Sequence, residues 1–331
     1  MAVTMADITK LRKMTGAGMM DCKNALTQAE GDFDKAIKII REKGQAVAAK
    51  RSDRDASEGC VLVKNDGNGF AAIIALKCET DFVASNADFV KLAHDILDAA
   101  VAARCKTLDE VKALPMGEGT IAQAVVDRSG ITGEKMELDG YSTIEGANIA
   151  IYNHLNRNFL CTMVALNKEA DPQVGKEVAM QIAAMNPVAI DEAGVPESVR
   201  TNEMQVAIDK TKVEQIQKAV EVALKKAGFN LYIAESEEHL NEGIMKGYIT
   251  EAQAQEIRDL KVKVAAEKAA NLPAQMIENI AKGRMAKFYK ESCLLNQEYI
   301  QDSKLTVAQY LKSVDKELTV TDFKRFSLRA E

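Results

Sequence analysis

The residues best equipped for covalent chemistry are few in this chain. There are three histidines and six cysteines, and neither set is arranged as a reactive centre. His94 and His239 fall in stretches of helical spacing and His154 in a loop between two strand-like runs. None of them sits in a nucleophile or metal-ligand motif. Cys22, Cys60, Cys78, Cys105, Cys161 and Cys293 are scattered without a CxxC, so a zinc site or a redox dithiol is not expected. Each reads instead as a small, part-buried apolar side chain. The sequence contains no GxxxxGK[ST], no GxGxxG opening a helix and no GxSxG elbow. Binding of a nucleotide through a phosphate loop, a cofactor, a metal and an enzymatic activity are therefore not expected. Acid pairs such as Glu237-Glu238 lie on charged helical faces, whose ordinary role is solvation.

One short segment stands apart. Thr80-Asp81-Phe82-Val83-Ala84 puts a large apolar ring beside a carboxylate where a strand-like run meets a helical one. Two readings stay open. Phe82 can fold back into the core while Asp81 caps the helix, or both can project as a wedge into a partner.

The elements that must position this segment follow from period and punctuation. Ile8, Leu11 and Met14 have helical spacing, Gly16 and Gly18 break the run, and Met19–Ala29 resumes it with Cys22, Ala25, Leu26 and Ala29 on one face. Gly31 ends that helix, and Asp32 is placed to cap a third one carrying Phe33, Ala36, Ile37 and Ile40. Residues 46–59 read as a short helix or linker. From Gly59 the period drops to two, and Cys60–Lys64 and Phe70–Lys77 flank an Asn-Asp-Gly-Asn-Gly turn, the signature of a β-hairpin. A helix is expected from Ser85 to Arg104, with Ser85 and Asp88 as a capping box. The order recurs about ninety residues later. Ile149–Asn153 and Phe159–Asn167 form a second hairpin, followed by a helix over Val174–Met185 that Pro187 stops. At the equivalent position Phe82 becomes Pro172, so the hairpin–helix unit itself does not require an aromatic there.

Beyond it, Val213, Ile216, Val220 and Ala223 repeat at coiled-coil spacing, Gly228-Phe229-Asn230 breaks the run, and Ala254, Ile257, Leu260 and Val264 mark a returning arm. That pattern predicts a protruding antiparallel helical hairpin. From Lys282 the chain is expected to return to the body, with a helix at Ile277–Lys290, a strand-like Tyr299-Ile300, a helix at Val307–Ser313 and a last strand at Asp322–Leu328. The fold class is thus α+β. Its divisions are residues 1–55, 56–140, 141–197, the hairpin 198–270, and 271–331 completing the second core half.

Composition agrees with a globular protein and narrows its partners. The 331 residues are 47% apolar and 28% charged, with aromatics at 5% and a net charge of −6. No concentrated basic surface is visible, which argues against direct nucleic-acid binding. The longest purely apolar run, Phe70–Leu76, is far too short to span a membrane, and the N-terminus lacks a signal-peptide pattern. A cytoplasmic location is expected.

Three motifs carry a family resemblance. Thr15-Gly16-Ala17-Gly18-Met19-Met20-Asp21-Cys22-Lys23 with Ala25-Leu26, then Glu79-Thr80-Asp81-Phe82-Val83-Ala84, then Gly283-Arg284-Met285 with Lys287-Phe288, resemble in kind and order the signatures of the translation elongation factor Ts family. The resemblance implies an N-terminal ubiquitin-associated-like three-helix domain, a core of two related halves and a coiled-coil hairpin that can pair two copies into a homodimer. It does not extend to the C-terminal helical module of some members. It implies a guanine-nucleotide exchange factor whose partner is the GTPase elongation factor Tu. Thr80, Asp81, Phe82 and Val83 would then form the wedge that displaces groups holding the partner's magnesium ion. Arg12, Gly18, Met19, Met20 and Asp21 would press on its nucleotide-binding domain. An alternative that the three-helix fold leaves open is a ribosome-associated module recognising ubiquitin-like proteins or peptides.

Overall fold

Side-chain caps and glycines decide where the first helices begin and end. The computed structural model describes residues 3–329. α1 (Met5–Thr15) opens on a capping box between Thr4 and Asp7 and stops at Gly16, whose φ of 72° few other residues adopt at low cost. α2 (Met19–Gln28) and α3 (Phe33–Lys50) follow, and Asp32 caps α3 by accepting from the Lys35 N–H at 3.1 Å. Ile8, Leu11, Cys22, Ala25, Leu26 and Ala36 close a small core of their own. The third helix does not stop near residue 44 but runs through Gly44 to Lys50.

The core begins with β1 (Glu58–Asn65) and β2 (Phe70–Cys78), an antiparallel hairpin as the turn chemistry requires. Asp66 holds the turn by accepting from the N–H groups of Asn68 and Phe70. α4 (Asp81–Ala84) is a single turn, and α5 (Ala87–Ala102) starts after it. The expected capping box at Ser85 is not formed. Ser85 closes α4 by donating to the Asp81 carbonyl at 2.8 Å, and Asn86 caps α5. The stretch up to residue 148, which has no clear period in sequence, folds as α6 (Leu108–Ala113), the two-residue strands β3 (Pro115–Met116) and β4 (Gly119–Thr120), α7 (Ile121–Thr132) and β5 (Met136–Glu145). β6 (Asn148–Asn153), β7 (Leu160–Leu166) and α8 (Pro172–Met185) are the second hairpin and its helix.

A helical unit, Asp191–Gln297, is inserted next. It contains α9 (Glu197–Lys226), α10 (Leu231–Ala234), α11 (Glu237–Met245), α12 (Glu251–Ala270) and α13 (Ala274–Ser292). The predicted hairpin is present as α9 and α12, but its tip is a small packed cap rather than a turn. Leu224, Ala234, Leu240, Ala254 and Ile257 are buried together there. Val213 is not part of the seam. It is exposed, and Ala207, Thr211 and Leu224 are the buried positions of α9. Nor does the chain leave this unit at Lys282, because Arg284 of α13 pairs with Glu214 of α9 at 2.6 Å and Met285 is buried.

The first unit resumes at Glu298 with β8 (Glu298–Tyr299), β9 (Asp302–Thr306), α14 (Val307–Val314) and β10 (Val320–Ser327). The Tyr299 hydroxyl donates to Glu177 of α8 at 2.8 Å, Tyr310 of α14 donates to the same carboxylate, and the two rings stack at 4.2 Å.

Each core half is a three-stranded sheet, β1-β2-β5 and β6-β7-β10, with its central strand flanked on both sides. Phe70, Ala72, Ile74 and Leu76 of β2 face Phe89, Ala93 and Ile96 of α5. The alternate residues Ala71, Ile73 and Ala75 face Cys161, Met163 and Ala165 of β7. The sheets therefore pack face to face, as two-layered cores do. At their contact a Cβ on Gly140 would stand 2.5 Å from the Phe326 ring and 2.6 Å from the Ala75 Cβ. Gly140→Ala should lower stability by about 1–3 kcal/mol through overpacking. Gly283→Ala, with nothing nearby on α13, should be neutral or stabilising. Urea midpoints of the two variants check the contrast.

Candidate functional site

The segment between β2 and α5 carries an exposed phenylalanine. Thr80 has extended backbone (φ −125°) and caps α4, its Oγ1 accepting from the Val83 N–H at 3.4 Å. Val83 and Ala84 pack onto the core of the first half, which turns the opposite side of this single turn outward. Phe82 is 84% exposed. Of the two readings open in sequence, the folded-back ring is therefore excluded, and the cap is Thr80 rather than Asp81. Asp81 is exposed beside the ring, and among the described residues no hydrogen bond or ion pair holds its carboxylate.

Two buried-edge carboxylates hold this turn from behind. Glu134, in the short link between α7 and β5, accepts from the Thr80 hydroxyl at 2.7 Å and from the Thr80 N–H at 3.1 Å. Glu134 is itself fixed, its carbonyl accepting from the Ser129 hydroxyl, just after Gly133 ends α7 at φ 74°. Glu79 accepts from the Lys135 N–H, from Arg54 at 2.9 Å and from Arg51 at 3.1 Å. The Lys135 N–H, with the two guanidinium groups, pulls the Glu79 carboxyl down to about 2. Charge-assisted bonds of this kind are the stronger class, so the single turn bearing Phe82 is braced although it is too short to be stable alone. Sequence reasoning missed Arg51, Arg54 and Glu134. The two arginines read as ordinary interleaved charge, and nothing local marks Glu134 as a partner of Thr80.

The N-terminal candidates gather where α1 hands over to α2. Arg12 is exposed in the last turn of α1, Gly18 caps α2 without a side chain, and Met20 is 64% exposed. Met19 and Asp21 are half-buried. Met19 packs onto the three-helix core, and Asp21 pairs with Lys43 of α3. Among the described residues no hydrogen bond or ion pair joins this group to the Phe82 turn. The histidines are equally dispersed. His94 is exposed on α5, His154 meets Tyr152 and Phe159 edge-on, and His239 stacks on Tyr232 at 4.2 Å. All six cysteines are buried, and burial pushes the Cys60 and Cys161 thiols up to about 12.

Comparison with known proteins adds the decisive observation. Residues 79–330 match the family model described as Elongation factor TS. The chain belongs to the elongation factor Ts family. The elongation factor Ts match begins at Glu79, the carboxylate that braces the exposed turn. Proteins named Elongation factor Ts are similar over their whole length and the whole of this chain. The one from Bacteroides fragilis is 71% identical, that from Porphyromonas gingivalis 46% and that from Azobacteroides pseudotrichonymphae 37%. Membership places the chain among the translation elongation factors. Among the described residues no helix is long and apolar enough to cross a membrane.

The brace has a pH signature. The Glu79 carboxyl titrates below its ordinary value of 4.5 in the folded chain. Its stabilising contribution is therefore present above about 4.5 and is lost as pH falls toward 2. Urea midpoints of the wild type and Glu79→Gln should differ most near pH 6 and converge at the acid end. A difference that stays constant with pH would remove Glu79 ionisation from the brace.

Proposed function

We propose that this protein is the guanine-nucleotide exchange factor for elongation factor Tu, acting in the cytoplasm and without covalent chemistry. The observation that carries the reading is Phe82, 84% exposed on a turn braced by Glu79 and Glu134, in a chain of the elongation factor Ts family. A large ring held in water costs apolar hydration unless a partner covers it. The bracing lets it enter a partner with little further loss of conformational freedom.

The physical task is linkage. A nucleotide held at nanomolar strength is bound by about 12 kcal/mol, much of it from magnesium and from groups around the phosphates. A factor that binds the nucleotide-free GTPase more tightly weakens nucleotide by the same ratio. Phe82 inserted between packed helices, with Asp81, Thr80 and Val83 beside it, would displace the groups that hold the ion, because such packing switches between discrete arrangements. Arg12, Gly18, Met19, Met20 and Asp21, on a ubiquitin-associated-like domain, would press on the nucleotide-binding domain. Such a factor does not itself select GTP over GDP, and the cellular excess of GTP sets the direction.

For the inserted helices we read pairing with a second copy of this chain, on the resemblance. Sedimentation equilibrium at micromolar concentration should return twice the 36.1 kDa of one chain, and a single-chain mass would remove that reading.

The wild type should strongly accelerate release of fluorescent GDP from elongation factor Tu. Phe82→Ala should lose roughly 10- to 30-fold of that acceleration while still binding, the size expected for truncating an aromatic anchor. Binding without acceleration by the wild type would overturn the exchange reading. Equal acceleration by both proteins would move the mechanism away from Phe82.

A further inference from the structure

α3 and α7 touch through two glycines. A Cβ on Gly130 would lie 2.2 Å from the Gly44 Cα, a distance no real pair of carbons tolerates. A Cβ on Gly44 would lie 3.4 Å from the Gly130 Cα, an ordinary contact. Glycine inside a helix costs about 1 kcal/mol relative to alanine, and both positions are helix interiors. What that cost makes possible is contact between the two backbones.

The surroundings make this crossing the main register between the three-helix bundle and the core. On the far side of α7, Ile121, Val125 and Ser129 are buried, so α7 is fixed to the first sheet. On the near side Arg41 pairs with Glu118 at 2.8 Å and lies 3.8 Å from Asp127. Gln45 donates to Gln123 at 3.4 Å. Beside the crossing lies a cleft of about 410 Å³ lined by Met14, Ala25, Ile40, Gly44, Gly130 and Ile131. The cleft leaves part of this boundary unpacked, and the close approach of the two backbones lies at the glycine crossing.

We propose that Gly44 and Gly130 are positioning residues. Their contact sets where the Met20 patch stands relative to Phe82, so that both engage one partner together. The inference rests on the exchange reading above. Two patches on one rigid body bind with a high effective concentration of the second once the first is seated. A bundle displaced from α7 loses that gain although every residue of both patches is intact.

The two glycines give an asymmetric test. Gly44→Ala and Gly130→Ala each add one methyl group and the same helix propensity, so a role confined to helix stability predicts matching effects. Positioning predicts that Gly130→Ala alone lifts α3 from α7. Trypsin should then cleave Gly130→Ala after Arg51 or Arg54 at least several-fold faster than wild type or Gly44→Ala, with no partner present. In GDP release, Gly130→Ala should raise the KM for elongation factor Tu about tenfold while the maximal rate falls much less, since Glu134 still holds Thr80 behind Phe82 although Arg51 and Arg54 are freed from Glu79. Met20→Ala should raise KM in the wild type and add nothing in the Gly130→Ala background. Arg41→Ala, which removes two ion pairs of the same boundary without altering a helix contact, should shift both readouts the same way and decides the matter if Gly130→Ala does not fold. Equal tryptic rates and equal KM for the two glycine variants would overturn the proposal. A wild type that releases no GDP would overturn the exchange reading instead, with the tryptic comparison still judging the docking.

Discussion

The face-to-face packing of β2 on β7 is the constraint on which the rest of the molecule hangs. Both strands are central in their sheets and covered on both faces, by a helix outside and by each other inside. Side chains at the inner layer must be small or flat enough for two sheets to meet, hence Ala71, Ala75 and Ala165 among the larger Ile73 and Met163. Burial on both faces also removes the polar alternation of a half-exposed strand. That is why Phe70–Leu76 is a continuous apolar run and Leu160–Leu166 is broken only by the buried Thr162. Once this layer is fixed, the end of β2 has one exit, and the turn carrying Phe82 must leave the core there.

The same layer explains what could be read in advance. The two hairpins were legible because their turn residues and apolar runs are local facts, and the first helices because Asp32, Gly16 and Gly31 are a local cap and stops. The stretch from Leu108 to Glu145 was not. β5 is half-polar, with Glu137, Asp139 and Ser142 among its residues, and only its pairing with β2 makes it a strand. Extension of α3 past Gly44 was hidden for a similar reason, since a glycine normally argues for a stop and here answers a contact with Gly130. The cap over the helical hairpin depends on Leu240 and Ala234 meeting Ile257, a fact of tertiary packing. At the candidate site Phe82 could be singled out but not oriented. Its orientation depends on Glu134, fifty-odd residues away, and on the decision of Thr80 to cap where Asp81 was equally eligible.

The charges behind the exposed turn serve to hold it in place. Glu79 is held far below its ordinary titration range by neighbours that donate to it, so its ionisation is settled at neutral pH and is unsuited to proton transfer. The turn that exposes the Phe82 ring and the Asp81 carboxylate is held from behind, through Thr80 and Glu79.

The last strand has a consequence for how the chain is made. β10 pairs with β7 from Val320 to Ser327, after the entire helical insertion has intervened. The first sheet can close when β5 emerges during synthesis, but the second cannot close until the helical insertion and β10 have left the ribosome. Until then one edge of β7 offers unpaired backbone groups next to an apolar face, the arrangement most prone to wrong strand pairing. The order of translation thus leaves this translation factor with its second sheet incomplete until residues 320–327 have been added, and contacts so distant in sequence also favour slow closure.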